Sequence, residues 1–184
     1  MTAFVDESIR DGPDGSYVVA AVVLSTSDFD ARDAARRLLL PGQRRLHWHD
    51  EGEDRRTLIL ERLAQLGLEC RTYLCALGAG RRQPRARALC LNALLWDLWR
   101  QADVDSVVIE SRGDRDDRRD RSTIVAAQKS MRASPTIAYR FERPSVEPML
   151  WWADALAGAA ALATTGTRML DTIGLRLVHT DVIP

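Results

Sequence analysis

The chain is short of lysine, of cysteine and of net charge. Of its 26 basic residues only Lys129 is a lysine, and 26 acidic residues balance them to a formal charge of +0. The bias to arginine reads as the mark of a GC-rich genome, and a neutral chain argues neither for nor against nucleic acid as a partner. Its three cysteines, Cys70, Cys75 and Cys90, are odd in number, lie in apolar stretches and lack C-x-x-C spacing. That pattern argues against a disulfide framework or a cysteine zinc site and for reduced, buried thiols in a cytoplasmic protein. No basic-then-apolar leader opens the sequence, and the longest apolar stretch, 149–163, is short for a membrane span and carries Asp154. A soluble protein with no membrane partner is expected. Neither repeats nor a low-complexity linker divide the 184 residues, so one domain over 1–184 is expected. Nothing in the sequence sets its oligomeric state.

What is present is an alternation of strand and helix patterns. Residues 3–8 and 16–24 are β-branched and apolar around a Gly/Pro/Asp turn, which predicts an antiparallel hairpin whose second strand is buried on both faces. Ser27-Asp28 reads as a helix start, with Ala31, Ala34, Ala35 and Leu38 at helical spacing before Pro41-Gly42. A second helical pattern carries Leu58, Ile59, Leu63 and Leu66 and stops at Gly67. Residues 68–77 read as a third strand, 78–84 as a loop and 85–101 as a helix with a broad apolar face. The run 105–110 is a short apolar strand of the kind buried inside a parallel sheet. After the charged stretch 111–121, a solvated loop and helix start, come a helical segment at 124–131, a strand at 136–141, a helix opened by Pro148 and an edge strand at 174–179. This order predicts an α/β fold with a mixed sheet of about five strands, antiparallel at the start and parallel later, flanked by helices.

Three acids stand where packing favours a hydrophobe. Asp6 interrupts the first strand, Glu110 ends the apolar strand, and Asp154 lies inside an apolar helix with Leu150, Trp151, Ala157 and Gly158 as its helical neighbours. An ionised carboxylate is costly to bury without a partner. Strand alternation puts Phe4, Asp6 and Ser8 on one face and Val5 and Glu7 on the other, so only one of the two adjacent acids can share a given site. Plainer readings also exist: a turn at Asp6-Glu7, a strand-end ion pair of Glu110 with Arg112, and a salt bridge from Asp154 to an arginine. If the three acids cluster, a hard cation such as Mg²⁺ or Mn²⁺ is the natural neutraliser, and phosphodiester hydrolysis the natural chemistry.

The strings Phe4-Val5-Asp6-Glu7-Ser8, Leu46-His47-Trp48-His49, Val107-Val108-Ile109-Glu110-Ser111-Arg112 and Glu147-Pro148-Met149-Leu150-Trp151-Trp152-Ala153-Asp154-Ala155-Leu156-Ala157-Gly158 together resemble the bacterial family called domain of unknown function 3800. The resemblance spans nearly the whole chain and implies a ribonuclease-H-like fold. It implies a carboxylate cluster supplied by Asp6, Glu110 and Asp154 as catalytic residues and ligands of Mg²⁺ or Mn²⁺. The expected function is then a metal-dependent, nuclease-like phosphodiester hydrolase with nucleic acid as a possible partner. A non-catalytic interaction module of the same fold and a small-molecule phosphoesterase are the alternatives.

Further candidates surround this core. Glu7, Glu51 and Asp54 are candidates for a fourth acid, and His47 and His49, alternating on an extended segment, for metal binding or for orienting a phosphate. Arg112 and Arg115 follow Glu110 directly and are candidate phosphate contacts, arginine being suited to bidentate phosphate binding. Arg81, Arg82, Arg85 and Arg87 form a second basic group, a phosphate grip or a surface cap. Trp151 and Trp152 are expected in the core, whereas Trp48 is open between core packing and base stacking.

Overall fold

Thr2–Arg10 (β1) and Ser16–Leu24 (β2) form the expected hairpin, paired antiparallel from Thr2↔Leu24 to Arg10↔Ser16. The computed structural model describes residues 1–12, 14–25, 30–77, 82–100, 104–132, 136–164 and 177–181. Every residue of β2 is buried, which follows from its unbroken apolar composition and its place between two layers of helix. Glu69–Ala76 (β3) pairs antiparallel with β2, Ser106–Glu110 (β4) parallel with β1, and Ala138–Glu142 (β5) parallel with β4. Leu177–Asp181 (β6) adds a sixth strand, parallel to β3, so the order across the sheet is β5-β4-β1-β2-β3-β6. The mixed sheet of about five strands is borne out, and the expected edge strand is the sixth, found at Leu177–Asp181, with 174–176 outside the described residues.

Among the described residues five helices cover the sheet: Asp30–Arg37 (α1), Glu53–Gln65 (α2), Gln83–Arg100 (α3), Asp114–Met131 (α4) and Met149–Ala163 (α5). The helix start expected at Ser27-Asp28 lies outside the described residues, as do residues 78–81 of the loop expected at 78–84, whose end is corrected because Gln83 and Pro84 already belong to α3. Side-chain alternation in the strands splits the core in two. Phe4, Val18, Ala20, Val22 and Val108 pack with α1, α2 and α5, whereas Ala3, Val5, Tyr17, Val19, Val107 and Ile109 pack with α3 and α4.

Two sequence expectations are corrected here. Leu58 was assigned to the apolar face of α2, but the helix turns Ile59, Leu60 and Leu63 to the core and leaves Leu58 44% exposed. The charged stretch is mostly helix: α4 begins at Asp114, with Asp114, Asp116 and Asp117 in the first turn, where acids complement the helix dipole. Asp117 ties down the preceding loop, accepting from the Ser111 hydroxyl at 2.7 Å and the Arg112 N–H at 3.0 Å.

Helix α5 lies across β1 and β2, and its small residues permit the approach. A side chain on Gly158 would overlap the indole of Trp48, so the glycine is required for that ring to seat. Pro148 precedes the first helical residue, and Glu147 Oε1 accepts from the Met149 N–H at 3.1 Å while Arg32 grips both Glu147 oxygens at 2.9 and 3.0 Å. Trp152 donates to the Ala31 carbonyl at 3.0 Å, Trp151 to that of Pro144 at 2.8 Å, and Trp48 is buried as well, so all three indoles belong to the core.

Candidate carboxylate site

The parallel register of β1 with β4 runs Thr2↔Ser106, Ala3↔Val107, Phe4↔Val108, Val5↔Ile109. One rung further on, Asp6 stands beside Glu110, and strand alternation turns both to the α5 side, the side of Phe4 and Val108. Asp154, projecting from the second turn of α5, meets them there. The three acids line one cleft of about 360 Å³, together with Arg45, His47, His49 and Arg112.

Asp6 is only 5% exposed. Burial first, then a hydrogen bond to Glu110 and the charges of Glu7, Glu110 and Asp154, raise its pKa well above the ordinary carboxylate value. One Asp6 oxygen also accepts from the Glu7 N–H at 2.7 Å. Asp154 is pushed up to about 6, chiefly by burial and further by Glu110, against the lowering effects of the Trp48 N–H, His47 and Arg45. Its Oδ2 accepts that Trp48 N–H at 2.8 Å, so the 3₁₀ turn at Trp48–Asp50 positions the carboxylate from across the cleft.

Glu7 also borders the cleft, but its carboxylate turns to the opposite face of the sheet, as alternation requires. Arg87 bridges it to Asp120: Arg87 Nη1 donates to Glu7, and Nε and Nη2 donate to Asp120 at 2.7–2.9 Å. Arg112 closes the network, with Nε 3.1 Å from Glu7 and Nη2 3.7 Å from Asp120. Arg87, assigned from the sequence to a basic surface group, is thus a buried counter-ion at 2% exposure. Arg82 and Arg85 remain exposed, and Arg81 lies outside the described residues. Arg112 stands at the cleft lip already engaged with Glu7, and Arg115, exposed in the first turn of α4, does not line the cleft.

Among the remaining candidates, Glu51 is buried but its oxygens serve Gln43 at 3.1 Å and Arg55 at 3.2 Å, and Asp54 is exposed on α2; neither lines the cleft. His47 and His49 both line it, with His47 Nδ1 3.1 Å from Asp50. The residue that sequence reading passed over is Arg45. Its signal was the alternation Arg45-Leu46-His47-Trp48-His49, in which Leu46 and Trp48 are the buried positions.

Comparison with known structures sets this sheet in context. RNase HII of Archaeoglobus fulgidus, determined in complex with PCNA, superposes with a TM-score of 0.58 at 16% identity over 95% of this chain and 78% of its own. Ribonuclease H2 of Pyrococcus horikoshii OT3 superposes with a TM-score of 0.55 at 14% identity, over 94% and 77%. The fold is ribonuclease-H-like. No protein-family model matches the chain, and no curated protein matches it by sequence. At such identities the likeness establishes architecture alone, and the chemistry of the site has to be argued from its own residues.

Those residues are carboxylates, the oxygen donors that Mg²⁺ and Mn²⁺ take. In the arrangement described, however, Asp6 bonds Glu110 and Asp154 bonds Trp48. Among the described residues no three His, Cys, Asp or Glu side chains stand together poised to hold an ion. The donor chemistry fits a hard cation. As for membranes, no described helix is long and apolar enough to cross one.

Proposed function

We propose that this chain is a divalent-metal-dependent phosphodiester hydrolase of nuclease type, acting on nucleic acid, with Asp6, Glu110 and Asp154 as the residues that hold Mg²⁺ or Mn²⁺. The observation that carries the reading is the convergence of these three acids, from β1, the end of β4 and α5, in one cleft where burial and mutual repulsion raise the pKa of two of them. Perturbed carboxylates gathered in a cleft are what a catalytic centre needs and what stability alone disfavours. Bound there, the cation supplies neutralisation of the acids and polarisation of a phosphoryl oxygen. The protein's part is to keep the acids in register through the β1–β4 pairing, to hold Asp154 on the Trp48 N–H, and to fix Arg112 at the lip through Glu7. Arg112 is the candidate phosphate contact on the α4 side, and Arg115, outside the cleft, is not retained in that role. The likeness to ribonucleases supports nucleic acid as the substrate class. The shared strings around Asp6, Glu110 and Asp154 support placing the chain with the domain of unknown function 3800 proteins, as a single domain.

A second reading has its own observation: the Asp6–Glu110 hydrogen bond and the lack of a poised three-ligand set among the described residues favour an interaction module that keeps the fold without the reaction. The deciding experiment is cleavage of labelled RNA, DNA and RNA–DNA hybrid with Mg²⁺, Mn²⁺ or EDTA. The hydrolase reading expects cation-dependent cleavage that disappears in Asp6→Asn and Asp154→Asn. Cleavage unchanged in those variants removes the site assignment, and turnover of mononucleotide esters but not polymers redirects it to a small phosphoesterase.

A further inference from the structure

Several arginines of this molecule close tightly on acids. Arg32 grips Glu147 and Arg87 grips Asp120 through two nitrogens each, and Arg112 meets Glu7 at 3.1 Å. Arg45 is different. It is exposed, lines the acid cleft and acts on Asp154 through space, yet no hydrogen bond or ion pair of its side chain is recorded among the described residues. An arginine placed only to balance Asp154 would be expected to close on it as the others close on their acids, because charge-assisted forked contacts are the stronger arrangement. Its backbone position is nonetheless well fixed. Leu46 is 2% and Trp48 5% exposed, His47 is extended at φ −138° and ψ 115°, and the Trp48 N–H is bonded to Asp154. Leu46 and Trp48 are the buried positions of this segment, while Arg45, His47 and His49 line the cleft. A fixed strut therefore presents an unengaged guanidinium and two imidazoles, their rings 6.4 Å apart, to the space over the acids.

We propose that Arg45, backed by His47 and His49, is a phosphate-binding wall that seats the backbone of a nucleic acid on the side of the cleft opposite Arg112. The inference rests on the hydrolase reading for its ligand class but not on turnover. The guanidinium supplies the forked contact that phosphate oxygens take. Arg45 binds and orients; it is not assigned a part in bond cleavage.

The test is the salt dependence of binding, measured in EDTA by fluorescence anisotropy with a labelled RNA–DNA hybrid. Each phosphate contact contributes about 0.7–0.9 to the slope of log K against log salt concentration. Arg45→Gln is expected to weaken binding across sequences and lower the slope by about one such contact, while Arg45→Lys retains most of it. Arg37→Gln, which removes the same charge from the exposed end of α1 away from the cleft, is expected to leave the slope unchanged. Equal slopes for wild type and Arg45→Gln, equal losses in both glutamine variants, or no binding by the wild type would each overturn the wall. Cation-dependent cleavage lost in Asp154→Asn, alongside an unchanged Arg45→Gln slope, would remove the wall and keep the hydrolase. A lowered slope with no cleavage under any cation would do the reverse.

Discussion

Replacing Asp154 by Asn should make the metal-free protein more stable, and by more at high pH than at low. The cause is the cost of ionising a carboxyl that burial and Glu110 disfavour, which lifts its pKa from 3.8 to about 6. The folded chain holds this proton more tightly than the unfolded chain does, so the unfolded state ionises first as pH rises. Stability is therefore greatest below about pH 4, falls between about pH 4 and 6, and carries the whole penalty above that window. At 1.36 kcal/mol per pH unit the penalty is about 1.5 kcal/mol at pH 5 and about 3 kcal/mol at pH 8. Asn has no such penalty and its carbonyl can still accept the Trp48 N–H. Urea unfolding in EDTA at pH 5 and pH 8 reads the effect directly. The variant should gain at both values, with the gain roughly doubling between them. Equal stabilities at both pH values, or a variant less stable at pH 8, would refute the claim that Asp154 is a strained, partner-poor carboxylate.

Other parts of the account are as open to measurement. Gly158→Ala should cost about 1–3 kcal/mol in chemical denaturation, because a methyl there displaces the Trp48 indole from a packed seat; the same change should shift tryptophan fluorescence. Arg87→Leu should cost about 3–5 kcal/mol, since it leaves Glu7 and Asp120 with only the more exposed Arg112 in place of their buried counter-ion; a loss below about 1 kcal/mol would show the network to be incidental. Burial pushes the Cys70 and Cys90 thiols up to about 12, and Cys75 is fully covered. A thiol reagent at pH 8 should accordingly label none of the three in the native chain and all three after unfolding. Labelling of any of them at the free-thiol rate would contradict their placement.

The opening hairpin and the facing of Asp6 against Glu7 were legible because they depend on local rules: apolar continuity marked β2, and period-two alternation separated adjacent acids. Asp154 was legible because a lone carboxylate in an apolar helix has no local explanation. What escaped depends on partners distant in sequence. Arg87 sits in a string of arginines and reads as surface until folding brings Glu7 and Asp120 to it from 80 and 33 residues away. Glu51 looked free for the cluster, but Gln43 and Arg55 take its oxygens. Arg45 looked like one more loop arginine, since only the burial of Leu46 and Trp48 reveals which way it turns. The helix phase of α2 misled at Leu58 because Leu58, Ile59 and Leu60 are consecutive apolar residues, and only contacts with the sheet choose among them.

The central claim is that the acids at Asp6, Glu110 and Asp154 bind a divalent cation, and the thermal midpoint of the intact chain during a Mn²⁺ titration tests it most directly. A ligand that binds only the folded state stabilises it by about 2.7 kcal/mol at one hundred times its dissociation constant. The account predicts a saturable rise in the wild type that Asp6→Asn and Asp154→Asn abolish. A midpoint that Mn²⁺ leaves unmoved, or that rises equally in all three proteins, would contradict it.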